Sequence, residues 1–270
     1  MSILNAIILG LLQGLTEFLP ISSSGHLVLF KDLLGVDDPA VFFIVSVHFG
    51  TLLAVLTVFW RLAVNIAVSF FKGIAAGRGA SARLKSDRYF KLAVLLIIGS
   101  LPAGLLGLLL DRRIELAFSS PTLTAFMLLV TGLILWPTRY AKSTGRQVSY
   151  KGSLLIGAAQ AFAMLPGISR SGATISTGLY CGVEADQAVE FSFLLALPAI
   201  LGATLLKARE LLVGPPQSLP LLPIFLGTVV AYLSGYLAIK WLLRIVRRGR
   251  LDWFSYYCWA VGLAYLIARR

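Results

Sequence analysis

Gln13-Gly-Leu-Thr-Glu17-Phe-Leu-Pro20-Ile-Ser22-Ser23-Ser24-Gly25-His26 breaks into an apolar run that opens at Ile3. The stretch is too interrupted to cross a bilayer as one helix, yet the chain around it is 58% hydrophobic, with a mean hydropathy of +0.86. Polar side chains in such a setting need a protein-lined cavity or a partner. An acid, an amide, three serines and an imidazole together therefore mark the wall of a cavity, and that cavity is where chemistry is expected.

Composition fixes the solvent. Only 13% of residues are charged, and apolar runs alternate with basic connections, which gives an all-α, polytopic membrane protein and excludes a soluble enzyme. Met1-Ser-Ile-Leu-Asn5 lacks a positive leader region, and the run from Ile3 to Leu12 ends without a cleavage site, so no cleaved signal peptide is expected. Cys181 and Cys258 both lie in apolar settings and suit neither a disulfide framework nor a zinc site.

The net charge of +12 does not imply nucleic acid, because fifteen of the 24 Lys and Arg fall in three connections, Arg61 to Lys91, Arg139 to Lys151 and Arg244 to Arg250. The intervening connections are acidic or balanced, as in Lys31 to Pro39 with Asp32, Asp37 and Asp38. This asymmetry places the basic loops in the cytoplasm, where they set orientation and meet anionic lipid.

Six runs approach the roughly 20 residues a hydrocarbon core requires: about 40 to 60, 91 to 110, 117 to 137, 188 to 206, 221 to 241 and 251 to 268. Two more, about 3 to 30 and 152 to 182, are broken at Pro20 and Pro166 beside Ser/Gly clusters and are expected as re-entrant helix-loop-helix hairpins. Six crossings put both termini on one side, and the charge pattern makes that side extracytoplasmic, although Arg269 and Arg270 weigh against it.

The two broken segments are copies. An ungapped offset of 147 residues pairs Gly10 with Gly157, Gln13 with Gln160, Ile21 with Ile168, Ser22 with Ser169, Ser24 with Ser171, Gly25 with Gly172, and Gly35-Val36-Asp37 with Gly182-Val183-Glu184. Three crossings separate the copies, so the second hairpin enters from the opposite face. The organisation is a single membrane domain, residues 1–270, with inverted repeats over about 1–137 and 150–270 and a basic cytoplasmic linker at 138–150.

Each loop runs into a helix start, whose unpaired N–H groups favour an anion such as phosphate. Gln13 and Glu17 share one helix face at i, i+4. Ser22, Ser23, Ser24, Gly25 and His26 follow in the first loop; Ser169, Arg170, Ser171, Gly172 and Thr174 form the second. The forked Arg170 guanidinium matches phosphate geometry. Singly, these residues have plainer readings: Ser/Gly clusters pack helices, Arg170 bridges to Glu17, and His26 is a hydrogen-bonded core residue. His48 reads as structural, Glu190 as an interfacial charge, and Trp60, Trp136, Trp241, Trp253 and Trp259 as interfacial belt. Their combination on two converging loops points to a phosphate site.

At these residues the chain resembles bacterial undecaprenyl-diphosphate phosphatases of the bacitracin-resistance type. The stretch from Gln13 to His26 and Leu165-Pro-Gly-Ile-Ser-Arg170-Ser-Gly-Ala-Thr174 are similar to that family's two signatures, and Phe191-Ser-Phe-Leu-Leu-Ala-Leu-Pro198 to a further one. The resemblance covers essentially the whole chain. It implies an inner-membrane hydrolase that converts undecaprenyl diphosphate to undecaprenyl phosphate and orthophosphate, recycling the lipid carrier of cell-wall (peptidoglycan) synthesis and conferring bacitracin resistance. It also implies Mg2+ or Ca2+ and a site open to the extracytoplasmic face. By position it makes Glu17 an acidic catalytic residue, Ser23 and His26 nucleophile candidates, and Arg170 the phosphate-binding arginine. Many members carry glutamate where this chain has Gln13. An amide brings no charge to a cation, so a metal site of Glu17 and Gln13 departs from two carboxylates.

Arg170, the cation and loop N–H groups would then stabilise the transferring phosphoryl group, with Glu17 holding the cation or acting as base. Attack by Ser23, by His26 or by a positioned water stays open. Inverted repeats with broken helices are also transporter architecture, so carriage or flipping of a polyprenyl phosphate without hydrolysis is the alternative. Acid-phosphatase-like lipid phosphatases share only Ser24-Gly25-His26 and need a later His-Asp arrangement absent here. Partners are the lipid substrate and membrane lipids, with no nucleic acid; small-residue faces are compatible with a homodimer as readily as with internal packing.

Overall fold

A computed structural model of the chain describes residues 1–34, 41–141, 144–213 and 220–269. The first hairpin is α1 (Ile3–Phe18) and α2 (Ser23–Leu34). It is followed by α3 (Val41–Val58), α4 (Trp60–Ala75), α5 (Ala80–Ser86), α6 (Arg88–Phe118) and α7 (Pro121–Leu135). The second hairpin is α8 (Tyr150–Phe162) and α9 (Arg170–Tyr180), and α10 (Ala185–Val213), α11 (Leu221–Arg247) and α12 (Trp253–Ala268) complete the bundle. Among the described residues the β structure is one isolated parallel bridge, Arg146 to Val183, which clips the linker onto the turn after α9. The chain is an all-α polytopic membrane protein.

Among the described residues four helices are long and apolar enough to cross a membrane: Arg88–Leu110, Pro121–Tyr140, Ala185–Gly202 and Leu221–Arg247. Only 17% of the apolar window in the first is buried, and Leu105, Leu108 and Leu109 face outward, as lipid contact requires. The bent pair α3 and α4 adds a fifth if it forms one span, and the all-α polytopic expectation stands. The run at 251 to 268 becomes the 16-residue α12, roughly 24 Å long at 1.5 Å per residue. The run at 40 to 60 becomes α3, which bends by 85° into α4 at Phe59. Helix α4 shows Trp60, Val64, Val68, Phe71 and Ile74 on its outer face, a stripe at helical spacing. Hydropathy alone registers apolar content; it does not register that a turn at Leu251–Asp252 or a bend at Phe59 shortens the helix.

Local chemistry sets the helix ends. Ser120 caps α7 with Pro121 at its first position, Ser149 caps α8, and Ser169 caps α9 by accepting from the Gly172 amide at 3.1 Å. Asp87 caps α6, and the amides of Phe90 and Tyr89 help hold its carboxyl below the usual carboxylate range. In the first hairpin α1 stops before Pro20, and Ser22 adopts a left-handed φ of 66°, the one non-glycine among the described residues to do so. That conformation costs on the order of 1 kcal/mol, offset here by the Ser22 Oγ, which accepts from the Gly25 amide at 3.1 Å.

Each hairpin is gripped by helices from the other half of the chain. A Cβ at Gly10 would lie 2.3 Å from the Gly227 carbonyl oxygen, and one at Gly157 would lie 2.2 Å from that of Gly99. Thus α1 lies backbone to backbone on α11, and α8 on α6, contacts that no larger residue permits. The loops are anchored in the same crossed manner. Thr131 on α7 donates to the Gly167 carbonyl at 2.7 Å, and Cys258 on α12 donates to the Pro20 carbonyl at 3.7 Å. Pro20 and Gly167 are partners under the 147-residue offset. The Gly35-Val36-Asp37 part of that repeat lies outside the described residues.

Candidate active site

The two loops touch. Ser171 Oγ donates to the Leu19 carbonyl at 3.3 Å, and a Cβ on Gly25 would fall 2.9 Å from Gly167 Cα. Their contact brings Arg170, the first residue of α9, onto Glu17, the penultimate residue of α1: the guanidinium donates to Glu17 Oε1 in a buried ion pair. The other carboxylate oxygen accepts from Ser23 Oγ at 2.9 Å and from Gln13 Nε2 at 3.1 Å. Glu17 therefore joins residues from three places in the sequence.

Above this cluster opens a cavity of about 850 Å³. Glu17, Ser22, Ser23, Ser24, Ser169 and Arg170 form its polar end. Its remaining wall is largely apolar and includes Ala103, Gly104, Leu108, Phe118, Met164 and Pro198. A charged headgroup at one end and a hydrocarbon chain along the rest is the ligand such a cavity fits.

The other residues singled out from sequence do not line it. Gln13 stands behind Glu17, and Gly25, Ser171 and Gly172 are spent on contact between the loops. Thr174 shares a hydrogen bond of 2.6 Å with Ser192 on α10 and donates to the Arg170 carbonyl. His26 is buried: its Nδ1 lies 2.9 Å from the Ser22 carbonyl and its Nε2 lies 2.8 Å from the Tyr257 hydroxyl, with the two rings stacked. A carbonyl only accepts, so Nδ1 carries the proton and Nε2 of the neutral ring accepts from Tyr257. Both nitrogens are occupied. His48 donates to the Ile44 carbonyl of its own helix, and Glu190 sits in a small hollow with Arg88 and Lys91.

Sequence reasoning assigned no site role to Ser100 or Gln160, which line the cavity, or to Tyr257, which holds His26. Gln160 carried a signal, since the repeat pairs it with Gln13; Tyr257 carried none, being 231 residues from its partner.

The donor set can be weighed against a divalent cation. Among the described residues Glu17 is the one acidic residue lining the cavity, and no three His, Cys, Asp or Glu groups cluster. The rest are hydroxyl and amide oxygens. Such hard, mostly neutral donors fit Mg2+ or Ca2+ held jointly with ligand phosphates and do not fit a cation caged by protein alone.

The family described as "Bacitracin resistance protein BacA" matches residues 6–264. A protein of Desulfosudis oleivorans named undecaprenyl-diphosphatase is 49% identical over 265 residues, 96% of each chain. Proteins with the same name from Desulfatibacillum aliphaticivorans and Methanobrevibacter smithii are 43% and 41% identical, covering 98% and 97% of this chain and 98% and 96% of their own.

Proposed function

This chain belongs to the bacitracin resistance protein BacA family, and on that premise we propose that it hydrolyses undecaprenyl diphosphate to undecaprenyl phosphate and orthophosphate. The observation that carries this reading is the Glu17, Ser23 and Arg170 cluster at the polar end of an otherwise apolar cavity. The diphosphate sits at that end and the prenyl chain follows the apolar wall toward lipid.

Arg170 changes partners when substrate arrives. Its guanidinium turns from Glu17 to the terminal phosphate, where it offsets charge that spreads over the phosphoryl oxygens. The same exchange frees Glu17 Oε1 while Ser23 remains on Oε2, so the carboxylate becomes available as base when the phosphorus is in place. Ser23 Oγ then attacks the terminal phosphorus, its proton passes to Glu17, and undecaprenyl phosphate leaves with the bridging oxygen. Glu17 hands that proton to the departing undecaprenyl phosphate, and the regenerated carboxylate then deprotonates a water that attacks the phosphoserine; orthophosphate leaves as Ser23 Oγ takes the proton back from Glu17. Glu17 and nearby hydroxyl oxygens would hold a divalent cation together with the phosphates, and the chemistry it would supply is neutralisation of the phosphate oxygens. His26, with both nitrogens occupied, positions the Ser22 carbonyl and hence the loop.

We also place the protein in the bacterial inner membrane, with two inverted repeats and the cavity open to the extracytoplasmic side, because the basic connections lie in three loops of one polarity. Family membership favours hydrolysis over carriage of the lipid alone.

The test is phosphate release from farnesyl or undecaprenyl diphosphate by purified protein with Mg2+ or Ca2+. Arg170→Ala and Glu17→Gln should each lower release by at least about a hundredfold, the scale of losing a group that stabilises transferring charge. Full activity in either variant overturns the site assignment, and inactive wild-type protein overturns the function.

A further inference from the structure

Gln160 belongs to the buried stripe of α8, with Ser153, Ile156, Gly157 and Ala161, in the last turn before the helix gives way to the second loop. It is 96% buried and lines the cavity, and its side chain makes no hydrogen bond to the described residues. Its Oε1 is sealed in the wall without a partner, so the end that opens on the cavity is the amide N–H2. A buried amide with nothing to bond is costly, and a helix gripped at Gly157 cannot move to relieve it.

Its repeat partner shows what this amide does when its partner is present. Gln13 donates Nε2 to the Glu17 carboxylate at 3.1 Å. Under the 147-residue offset the counterpart of Glu17 is Met164, so the second hairpin keeps the amide and lacks the anionic oxygen. Met164 lines the same cavity. Among the described residues Arg170 is the cation lining the cavity, and Glu17 offsets that charge. A multiply charged headgroup must recruit neutral donors.

We propose that Gln160 is a substrate-binding residue whose amide N–H2 donates to a phosphate oxygen of the diphosphate, which takes the place left by the missing carboxylate. This rests on the diphosphatase reading and adds a contact from the second hairpin's first helix, so that both α8 and α9 hold the headgroup.

The experiment uses the full-length protein in lipid nanodiscs, with farnesyl methylenediphosphonate as a non-hydrolysable probe and EDTA present, so that cation effects are removed. Dissociation constants and apo melting temperatures are measured for wild type, Gln160→Met and Gln160→Glu. Gln160→Met should weaken binding at least about tenfold, the loss of one hydrogen bond to a charged group, while the apo melting temperature stays level or rises because the orphaned carbonyl is gone. Gln160→Glu should bind more weakly still, since it turns a carboxylate toward the phosphates. Binding by Gln160→Met within about twofold of wild type, a fall in its melting temperature alongside affinity, or tighter binding by Gln160→Glu overturns the proposal. The same titrations are repeated with Mg2+ in place of EDTA; failure of wild type to bind the probe in both conditions overturns the diphosphatase reading itself and this inference with it.

Discussion

Thr131 is a buried residue of α7 outside the cavity, and its hydroxyl is saturated by the second loop: it donates to the Gly167 carbonyl at 2.7 Å and accepts from the Ser169 amide at 3.0 Å. Thr131→Val keeps the shape and removes both bonds. The Gly167 carbonyl and Ser169 amide are then left in a wall that water does not reach, at roughly 1–3 kcal/mol each. Taking the middle of that range for one and the lower end for the other gives a loss of about 3 kcal/mol, close to two decades in the equilibrium that holds the loop shut. Because Ser169 caps the helix that begins at Arg170, the loss falls on the guanidinium's position. We expect Thr131→Val to lower the rate of phosphate release by tenfold or more and the melting temperature by about 5 °C, on the scaling for a chain of this size. Thr131→Ser, which restores the hydroxyl, should recover most of both. Phosphate release from farnesyl diphosphate and thermal unfolding, measured on the same preparations, decide it. If Thr131→Val matches wild type in rate and melting temperature, the loop is not held from α7 and the crossed anchoring has no energetic content.

Gly104 has nothing within 4 Å of where a Cβ would stand, because it borders the cavity. Gly104→Leu should therefore remove a helix-interior glycine, worth about 1 kcal/mol in helix propensity, while obstructing the apolar channel. The expected result is a melting temperature no lower than wild type with a raised KM for long-chain substrate and little change for a short-chain one; equal effects on both would show that the chain lies elsewhere. His26→Gln and Tyr257→Phe should each slow phosphate release by less than about a hundredfold, because a residue acting through the loop contributes less than a nucleophile. A loss of about 10⁴-fold or more in His26→Gln, with Tyr257→Phe unaffected, would restore the imidazole to the chemical step.

The hairpins were legible because proline, glycine and serine write their constraints locally. Pro20 and Pro166 end helices, Ser169 caps the next one, and Gln13 to His26 recurs in outline from Gln160 to Ala173. Glu17 and Arg170 were legible as a pair because unpaired charges are costly in an apolar chain. Helix length was less so: α12 stops short and α3 turns at Phe59, and neither shows in hydropathy, which sees composition and not where a buried turn such as Leu251–Asp252 begins. The division of the motif residues was also invisible. Thr174 and Ser24 are equally polar in sequence, but one faces Ser192 of α10 and the other the cavity. That distinction depends on which helix lies across the chain, and only tertiary packing supplies it.

The buried Glu17–Arg170 pair stands to both stability and catalysis in one relation. Two charges removed from water recover their desolvation only with good geometry and further hydrogen bonds, and this pair has both, since Ser23 and Gln13 complete the carboxylate. Breaking such a pair by removing one partner costs about 3–5 kcal/mol, so without substrate Arg170 is not free to leave. A diphosphate alters that balance by offering the guanidinium a more highly charged partner in the same cavity. Substrate binding and uncovering of the base are then a single exchange of partners, and a neutral lipid entering the cavity would leave Glu17 occupied. A prenyl alcohol should therefore compete for the apolar channel and leave the ion pair intact, whereas a prenyl diphosphate analogue should separate it. Selectivity for the charged lipid follows from the cost of breaking the pair and requires no separate gate.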